Sequence, residues 1–127
     1  MPEMLRKHAE FAAEGLQRSA LEISSSMQKH QLKLAERQCR MVELSQRVQD
    51  LVTMLCTSLY GSRHEDEVVR QAADVLCRDL TRKITGRRAS DRDYKATTQL
   101  GEAIAGGGFQ SIAGLHPDEI MMPYTQA

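Results

Sequence analysis

Residues 34–60 read LAERQCRMVELSQRVQDLVTMLCTSLY, and apolar side chains recur through this stretch at helical spacing. One row repeats every seven residues and a second row fills the intervening positions, which is typical of a helix that buries one face. We expect this helix to run from Gln31 to Tyr60. Its repeat lasts only about four heptads and Arg37 interrupts it, which favours an antiparallel bundle over a long free coiled coil. The stripe that we expect in the bundle core is Leu34, Met41, Val48, Leu51 and Leu55. Leu44 lies with Leu51 in the second row, and Val52 and Leu59 widen the apolar face.

The residues before this stretch predict an earlier helix. Pro2 and Glu3 suit a first helical turn, and apolar residues then follow at helical spacing from Leu5 to Met27. Gly15 is a weak breaker, since glycine inside a helix costs about 1 kcal/mol without ending it. The three serines at 24–26 mark a candidate bend or boundary.

After residue 60, the sequence predicts a tight turn and a third helix. Gly61 is the kind of residue that ends a helix, and Ser62 with Glu65 has the spacing of a capping box that starts the next one. Gly86 ends this third helix, and the short turn makes helices two and three antiparallel neighbours. Its expected apolar face is Val69, Ala72, Ala73, Leu76, Leu80 and Ile84.

A fourth, shorter helix is predicted from Ser90, which Asp91 and Asp93 follow, to the glycines at 106–108. The remaining residues mix apolar side chains with glycine and proline, which predicts an extended tail docked on the bundle. The sequence therefore predicts an all-α fold, an antiparallel bundle of about four helices with an extended C-terminal tail. We expect residues 1–108 to form the bundle domain and residues 109–127 the tail. The inward side chains of the fourth helix are predicted to be Tyr94, Thr97, Leu100 and Ile104.

Charge and cysteine content limit the class of protein. Seventeen basic residues balance seventeen acidic residues, so the broad cationic surface of a nucleic-acid binder is not expected. Cys39, Cys56 and Cys77 are an odd number without CxxC spacing and fall inside helical patterns, which indicates free thiols in a reducing compartment. No apolar run approaches the ~20 residues that span a bilayer.

Motifs for catalysis or metal binding are not evident in the sequence. The histidines show neither HExxH spacing nor a paired-cysteine partner, so we interpret them as surface or cap-adjacent residues and expect no metal site. There is no GxSxG nucleophile motif. The glycines at 106–108 follow a helix instead of preceding one, so they are interpreted as a helix stop, not a phosphate loop. The histidines are His8, His30, His64 and His116.

One surface feature has functional promise, a cluster of five cations around the end of the third helix. Such a cluster could attract an anionic membrane surface or an acidic protein partner. The alternative is a solvated structural role, since cations at a helix C-terminus are favoured by ~0.3–1 kcal/mol each. The cluster consists of Arg78, Arg82, Lys83, Arg87 and Arg88.

The chain also resembles a known family. The residues that carry the resemblance are Met27-Gln28-Lys29-His30, Leu34, Glu36, Gln38, Leu44 and Asp50-Leu51, then the helix from Ser62 to Ile84 and the glycines at 106–108. In these positions the sequence is similar to the C-terminal extension of acyl-CoA dehydrogenases of the very-long-chain and member-nine type. The resemblance covers about three quarters of the chain, and the stretches before Ser24 and from Phe109 onward depart from it.

The resemblance implies a function for the parent protein. Family members oxidise acyl-CoA thioesters with FAD in fatty-acid β-oxidation, using a glutamate base in a catalytic core that precedes the extension. That core lies outside this sequence, so no catalytic or cofactor-binding residue transfers to it, and FAD is implied for the parent enzyme only. The resemblance implies that this chain packs on the catalytic core and aids dimer stability or membrane association. Its location would be cytoplasmic in a bacterium, and the mitochondrial matrix or inner-membrane surface in a eukaryote.

A second hypothesis needs no parent enzyme. The chain could be a free-standing helical adaptor that forms a homo-oligomer through the seam of helix two, which includes Leu44. Both hypotheses give the chain a packing surface and no chemistry of its own.

Overall fold

The computed structural model describes residues 1–30, 33 and 38–110. Within these residues the chain is all-helical, with no β-strand, and the helices pack against one another as an antiparallel bundle. The predicted fold class is therefore confirmed. Leu34, the start of helix two at Gln31 and the tail from residue 111 onward lie outside the described residues. The helices are α1, Glu3–His30; α2, Gln38–Arg63; α3, Glu67–Thr85; and α4, Asp91–Ala105.

Consecutive helices run in opposite directions. The first residues of α1 meet the last residues of α2, α3 returns along α2, and α4 returns along α3. This order leaves α2 between α1 and α3, while α4 packs mainly against α3. The pairs that fix these directions are Leu5 with Gly61, Glu22 with Arg47, Ser58 with Cys77, Asp50 with Lys83, and Arg78 with Asp93.

The first helix is longer and more regular than its sequence suggests. It continues through Gly15, as predicted, and also through the serines at 24–26, which were the candidate bend or boundary. Ser19 and Ser26 are buried on the face that packs against the other helices. Small side chains on this face let α1 lie close to α2, which explains why the helix tolerates so many weak helix formers.

The core lies between α1, α2 and α3, and it is centred on Ala12, Met54 and Cys77. Leu51 is buried as predicted, and Leu44, which lies in the same row, is buried as well. Met41, Val48 and Leu55 are only half-buried, and Met54 and Ser58 are buried in their place. The predicted buried face of α2 is therefore wrong by part of a turn around the helix axis. Helix α2 packs against both α1 and α3, and the side that it buries is the one that faces these two helices. The expected apolar face of α3 departs similarly, since Leu76 is exposed and Cys77 is buried.

The junction between α2 and α3 differs from the prediction. Helix α2 does not stop at Gly61 but continues to Arg63, and α3 begins after Asp66, whose carboxylate accepts a hydrogen bond from the Val68 amide at 2.9 Å. Ser62 is not an N-cap, because its hydroxyl donates to the Leu59 carbonyl inside α2. The predicted helix stop and capping box are therefore wrong.

Gly61 serves helix packing instead of helix termination. A Cβ atom at this position would lie 2.7 Å from Cβ of Ala73 and 3.3 Å from Cδ1 of Leu5. Only a residue without a side chain allows α2 to approach α1 and α3 this closely.

Three other predicted helix boundaries are confirmed. Gly86 ends α3 with a left-handed conformation at φ 70°, and its amide donates to the Arg82 carbonyl. Ser90 precedes α4, and the carboxylate of Asp93 accepts a hydrogen bond from the Ser90 amide at 2.8 Å. The glycines that follow Ala105 end α4 as predicted.

The inner face of α4 is rotated from the prediction. None of the residues of α4, all of which the structure describes, is buried. Tyr94 is 63% exposed, while Asp93 and three small or apolar residues are half-buried. The rotation follows from ion pairs between Asp93 and α3, which turn this side of the helix inward. The half-buried apolar residues are Ala96, Leu100 and Ala103.

Candidate functional site

The five predicted cations do not form one free cationic patch. Arg78 donates to Asp74 at 2.8 Å and to Asp93 at 3.0 Å. Lys83 lies 2.8 Å from the carboxylate of Asp50 on α2. These two side chains therefore tie α3 to α4 and to α2.

Arg82 is also paired, with Asp79 and, at 3.5 Å, with Asp93. In contrast, Arg87 and Arg88 lie exposed in the turn between α3 and α4 and form no ion pair with any residue in the described part of the chain. Of the five predicted residues, these two are the ones with charge available to a ligand or partner.

A groove lies beside these two arginines. It has a volume of about 420 Å³ and runs between the first half of α1 and the junction of α3 with α4. Lys7, His8 and Phe11 form the α1 side. The residues of α3, α4 and the turn that line it are Arg78, Thr81, Arg82, Thr85, Arg87, Arg88, Ser90 and Asp93.

A buried ion-pair network borders the groove, and sequence reasoning missed it. Nε2 of His8 lies 2.8 Å from Oδ1 of Asp74, and Oδ2 of Asp74 accepts from Arg78. Arg78 then reaches Asp93, so the network joins α1, α3 and α4. The surface interpretation of His8 is wrong, because its side chain is only 16% exposed.

The network holds its carboxylates in the charged form. Burial raises the pKa of Asp74, but hydrogen bonds from His8 and Arg78 outweigh it and leave the pKa below its usual range. The pKa of Asp93 is lowered by the hydrogen bond from the Ser90 amide and by Arg78. The pKa of Arg78 is raised, first by its hydrogen bond to Asp74. All three groups are therefore ionised around neutral pH, and the network contributes electrostatic stability there.

The hydroxyl groups of the groove are already engaged. Thr81 donates to the Cys77 carbonyl at 2.8 Å, and Thr85 donates to the Thr81 carbonyl at 2.7 Å. The Ser90 hydroxyl lies 3.0 Å from the Asp93 carboxylate, to which it donates. Nucleophilic catalysis needs a hydroxyl or thiol activated by a base, whereas these hydroxyls serve helix structure. The geometry of the groove favours binding over reaction.

The three thiols differ in environment. Cys39 and Cys56 are exposed, whereas Cys77 is buried. Burial raises the pKa of the Cys77 thiol above its ordinary value, although the nearby Ser58 hydroxyl opposes this. Cys77 therefore behaves as a core residue. In the described part of the chain, no three His, Cys, Asp or Glu side chains come together in a way that could hold a metal ion.

A second candidate surface lies on α2. Five apolar residues at helical spacing follow one side of this helix without being fully covered. Val52 is 44% exposed and Leu59 is 41% exposed. This surface, the α2 apolar row, consists of Met41, Val48, Val52, Leu55 and Leu59.

Comparisons with known proteins do not identify a relative. No protein-family model, no curated protein and no solved structure matches the chain. The resemblance to acyl-CoA dehydrogenases therefore rests on the residues quoted for it above. No helix in the described ranges is long and apolar enough to cross a membrane.

Proposed function

We propose that this chain is a non-catalytic helical docking domain, and that the surface it packs on is the catalytic core of an FAD-dependent acyl-CoA dehydrogenase. The α2 apolar row carries the docking part of this proposal. The family resemblance supplies the identity of the partner surface. In this proposal the oxidation of acyl-CoA and the binding of FAD belong to the core, and the bundle contributes contact area that strengthens the parent enzyme or its dimer.

The α2 apolar row supports docking because it has the spacing of a buried helix face and yet the bundle does not fully cover it. Met41, Val48 and Leu55 repeat every seven residues, as do Val52 and Leu59. Such spacing is typical of a surface covered by another helix. Here α1 and α3 occupy the adjacent arc of α2, which contains Leu51 and Met54. Within the row, Leu55 packs against the edge of the core, Met41 and Val48 are half-buried, and Val52 and Leu59 are left exposed. Contiguous apolar surface of this kind marks interaction sites on soluble proteins.

The isolated chain offers a direct test of this surface. An exposed docking surface without its partner promotes self-association, so sedimentation velocity of the purified chain should show a rising mean mass as concentration increases. Val52→Glu combined with Leu59→Glu should hold the chain monomeric over the same range, because two carboxylates on the row disfavour its burial. Both residues are half-exposed, so the variant should keep its helical circular dichroism.

A matched control adds the same charge elsewhere on α2. Gln49 and Thr53 are exposed, and Gln49→Glu with Thr53→Glu should self-associate as the original chain does. A chain that stays monomeric at every concentration, or two double variants that behave alike, would contradict a docking role for the row.

The second hypothesis, a free-standing homo-oligomer, uses the same row. Leu44 was part of the predicted seam of helix two, but only 2% of its surface is exposed and it lies inside the bundle. A seam between two copies would therefore use exposed apolar residues of α2, such as Val52 and Leu59 in the row. The size and cofactor content of the native species separate this hypothesis from docking on a flavoenzyme core.

A further inference from the structure

The groove between α1 and the α3–α4 junction has the dimensions of a small-molecule site. Its volume of about 420 Å³ lies in the range of ligand pockets, and none of the described residues that line it belongs to α2. It is therefore separate from the α2 apolar row.

Some cations that line the groove are paired with acids in the described part of the chain, and others are not. Asp93 is the acid among its lining residues, and it is already shared by Arg78 and Arg82. Lys7 lies 3.2 Å from Glu3 in an exposed pair, and exposed ion pairs are weak. Arg87 and Arg88 have no acid among the described residues. Two guanidinium groups at the rim are thus available to an anion.

The structural role of cations at a helix C-terminus does not account for these two arginines. Helix α3 ends at Thr85 and its cap is Gly86. The attraction between a helix dipole and a cation falls off within the last turn, and Arg82 and Lys83 already occupy that turn. Arg87 and Arg88 lie beyond it.

On the α1 side, Phe11 gives the groove an apolar wall. Phe11 is half-buried and packs against the core cluster at its edge. His8 stands one turn away, held by Asp74. Since the hydroxyls of Thr81, Thr85 and Ser90 are engaged with the protein, recognition of a ligand falls to the guanidinium groups and the aromatic ring.

We infer that this groove binds a small soluble ligand that carries a phosphate group next to an apolar or planar group. The planar guanidinium groups of Arg87 and Arg88 match phosphate oxygens in geometry and charge. The apolar part of the ligand lies against Phe11. A lipid headgroup carries the same phosphate chemistry, so vesicles form a separate arm of the test.

Titration calorimetry with phenyl phosphate and with inorganic phosphate tests the site. At about 0.1 M salt the Debye length is about 10 Å, so distant cations contribute little. Phenyl phosphate should bind saturably with one site per chain and more tightly than inorganic phosphate. Arg87→Gln combined with Arg88→Gln should weaken binding of both compounds by about tenfold or more. Phe11→Leu, which keeps apolar volume beside the core, should reduce only the preference for phenyl phosphate.

The control removes two exposed arginines that do not line the groove, through Arg40→Gln combined with Arg63→Gln, and binding should be unchanged. Three results would overturn the inference: no saturable binding of either phosphate compound, equal weakening by the two double variants, or binding to phosphatidylserine vesicles without binding of soluble phosphate compounds. The last result would replace the ligand site by a membrane-facing surface. Self-association of the chain through the α2 apolar row is measured separately by sedimentation velocity. A negative result in calorimetry therefore bears on the ligand site alone, and a negative result in sedimentation bears on the docking proposal alone.

Discussion

Replacing Gly61 by alanine is expected to lower the free energy of unfolding by about 1–3 kcal/mol, although alanine is the better helix former. The added methyl group would lie 2.7 Å from Cβ of Ala73, an atom that cannot turn away because it is bound directly to the α3 backbone. Helices α2 and α3 must therefore move apart. The measurement is urea unfolding followed by circular dichroism, in which the midpoint should fall without a change in slope.

Two other glycines serve as controls for Gly61. Gly101 on α4 has open space where a Cβ would lie, so Gly101→Ala should raise stability by about 0.5–1 kcal/mol. At Gly15 the added Cβ would meet the end of the Leu51 side chain, which can rotate, so Gly15→Ala should have the intermediate effect. If Gly61→Ala proved as stable as Gly101→Ala, the close approach of α2 to α3 would be wrong.

Removing the carboxylate of Asp74 is expected to cost about 2–3 kcal/mol of stability. Asp74 on α3 is 5% exposed, and its carboxylate contacts His8 on α1 and Arg78 on α3. Asp74→Ala therefore removes one hydrogen-bond partner from each of these two partly buried side chains. The loss is expected to be smaller than the ~3–5 kcal/mol typical of breaking a buried ion pair, because Arg78 keeps its contact with Asp93. Chemical unfolding at neutral pH measures it.

The matched control for this variant lies on the same helix. Asp79 pairs with Arg82 at the surface, so Asp79→Ala should change stability by only about 0.5 kcal/mol. Equal effects of the two substitutions would contradict the buried network.

The same network sets the direction of pH dependence. The pKa of Asp74 is lowered in the folded chain, so the stability it contributes is fully present above its unfolded pKa of about 4. This stability is lost as pH falls below that value toward the folded pKa. The stability of Asp74→Ala should therefore fall less steeply below about pH 4 than that of the original chain. Asp93, whose pKa is also lowered, maintains some acid sensitivity in both proteins.

The sequence predicts helices better than it predicts their orientation. Apolar spacing identified α2, Gly86 identified the C-terminus of α3, and Ser90 identified the N-terminus of α4. These signals are local, so the sequence alone contains them. The role of Gly61 was not predictable, since a glycine reads as a helix stop whether or not another helix packs on it. The buried arc of α2 depends on where α1 and α3 lie, and that is not a local property.

Long-range polar contacts explain the remaining differences at the candidate site. His8 and Asp74 are separated by 66 positions, so nothing near either residue indicates their pairing. The basic cluster could be read from the sequence, but its division into paired and unpaired cations depends on Asp50, Asp74 and Asp93. Of the predicted cluster, Arg87 and Arg88 are the two residues that line the groove without being paired to an acid among the described residues.

The central claim is that this bundle works as the docking domain of a flavoenzyme. The most direct measurement is the mass and absorbance spectrum of the native protein, captured from an extract of its source with an antibody raised against this chain. We expect a yellow species several times larger than 14.3 kDa, with the absorbance of bound flavin. A colourless species whose subunit has the mass of this chain would contradict it and would favour the self-associating adaptor.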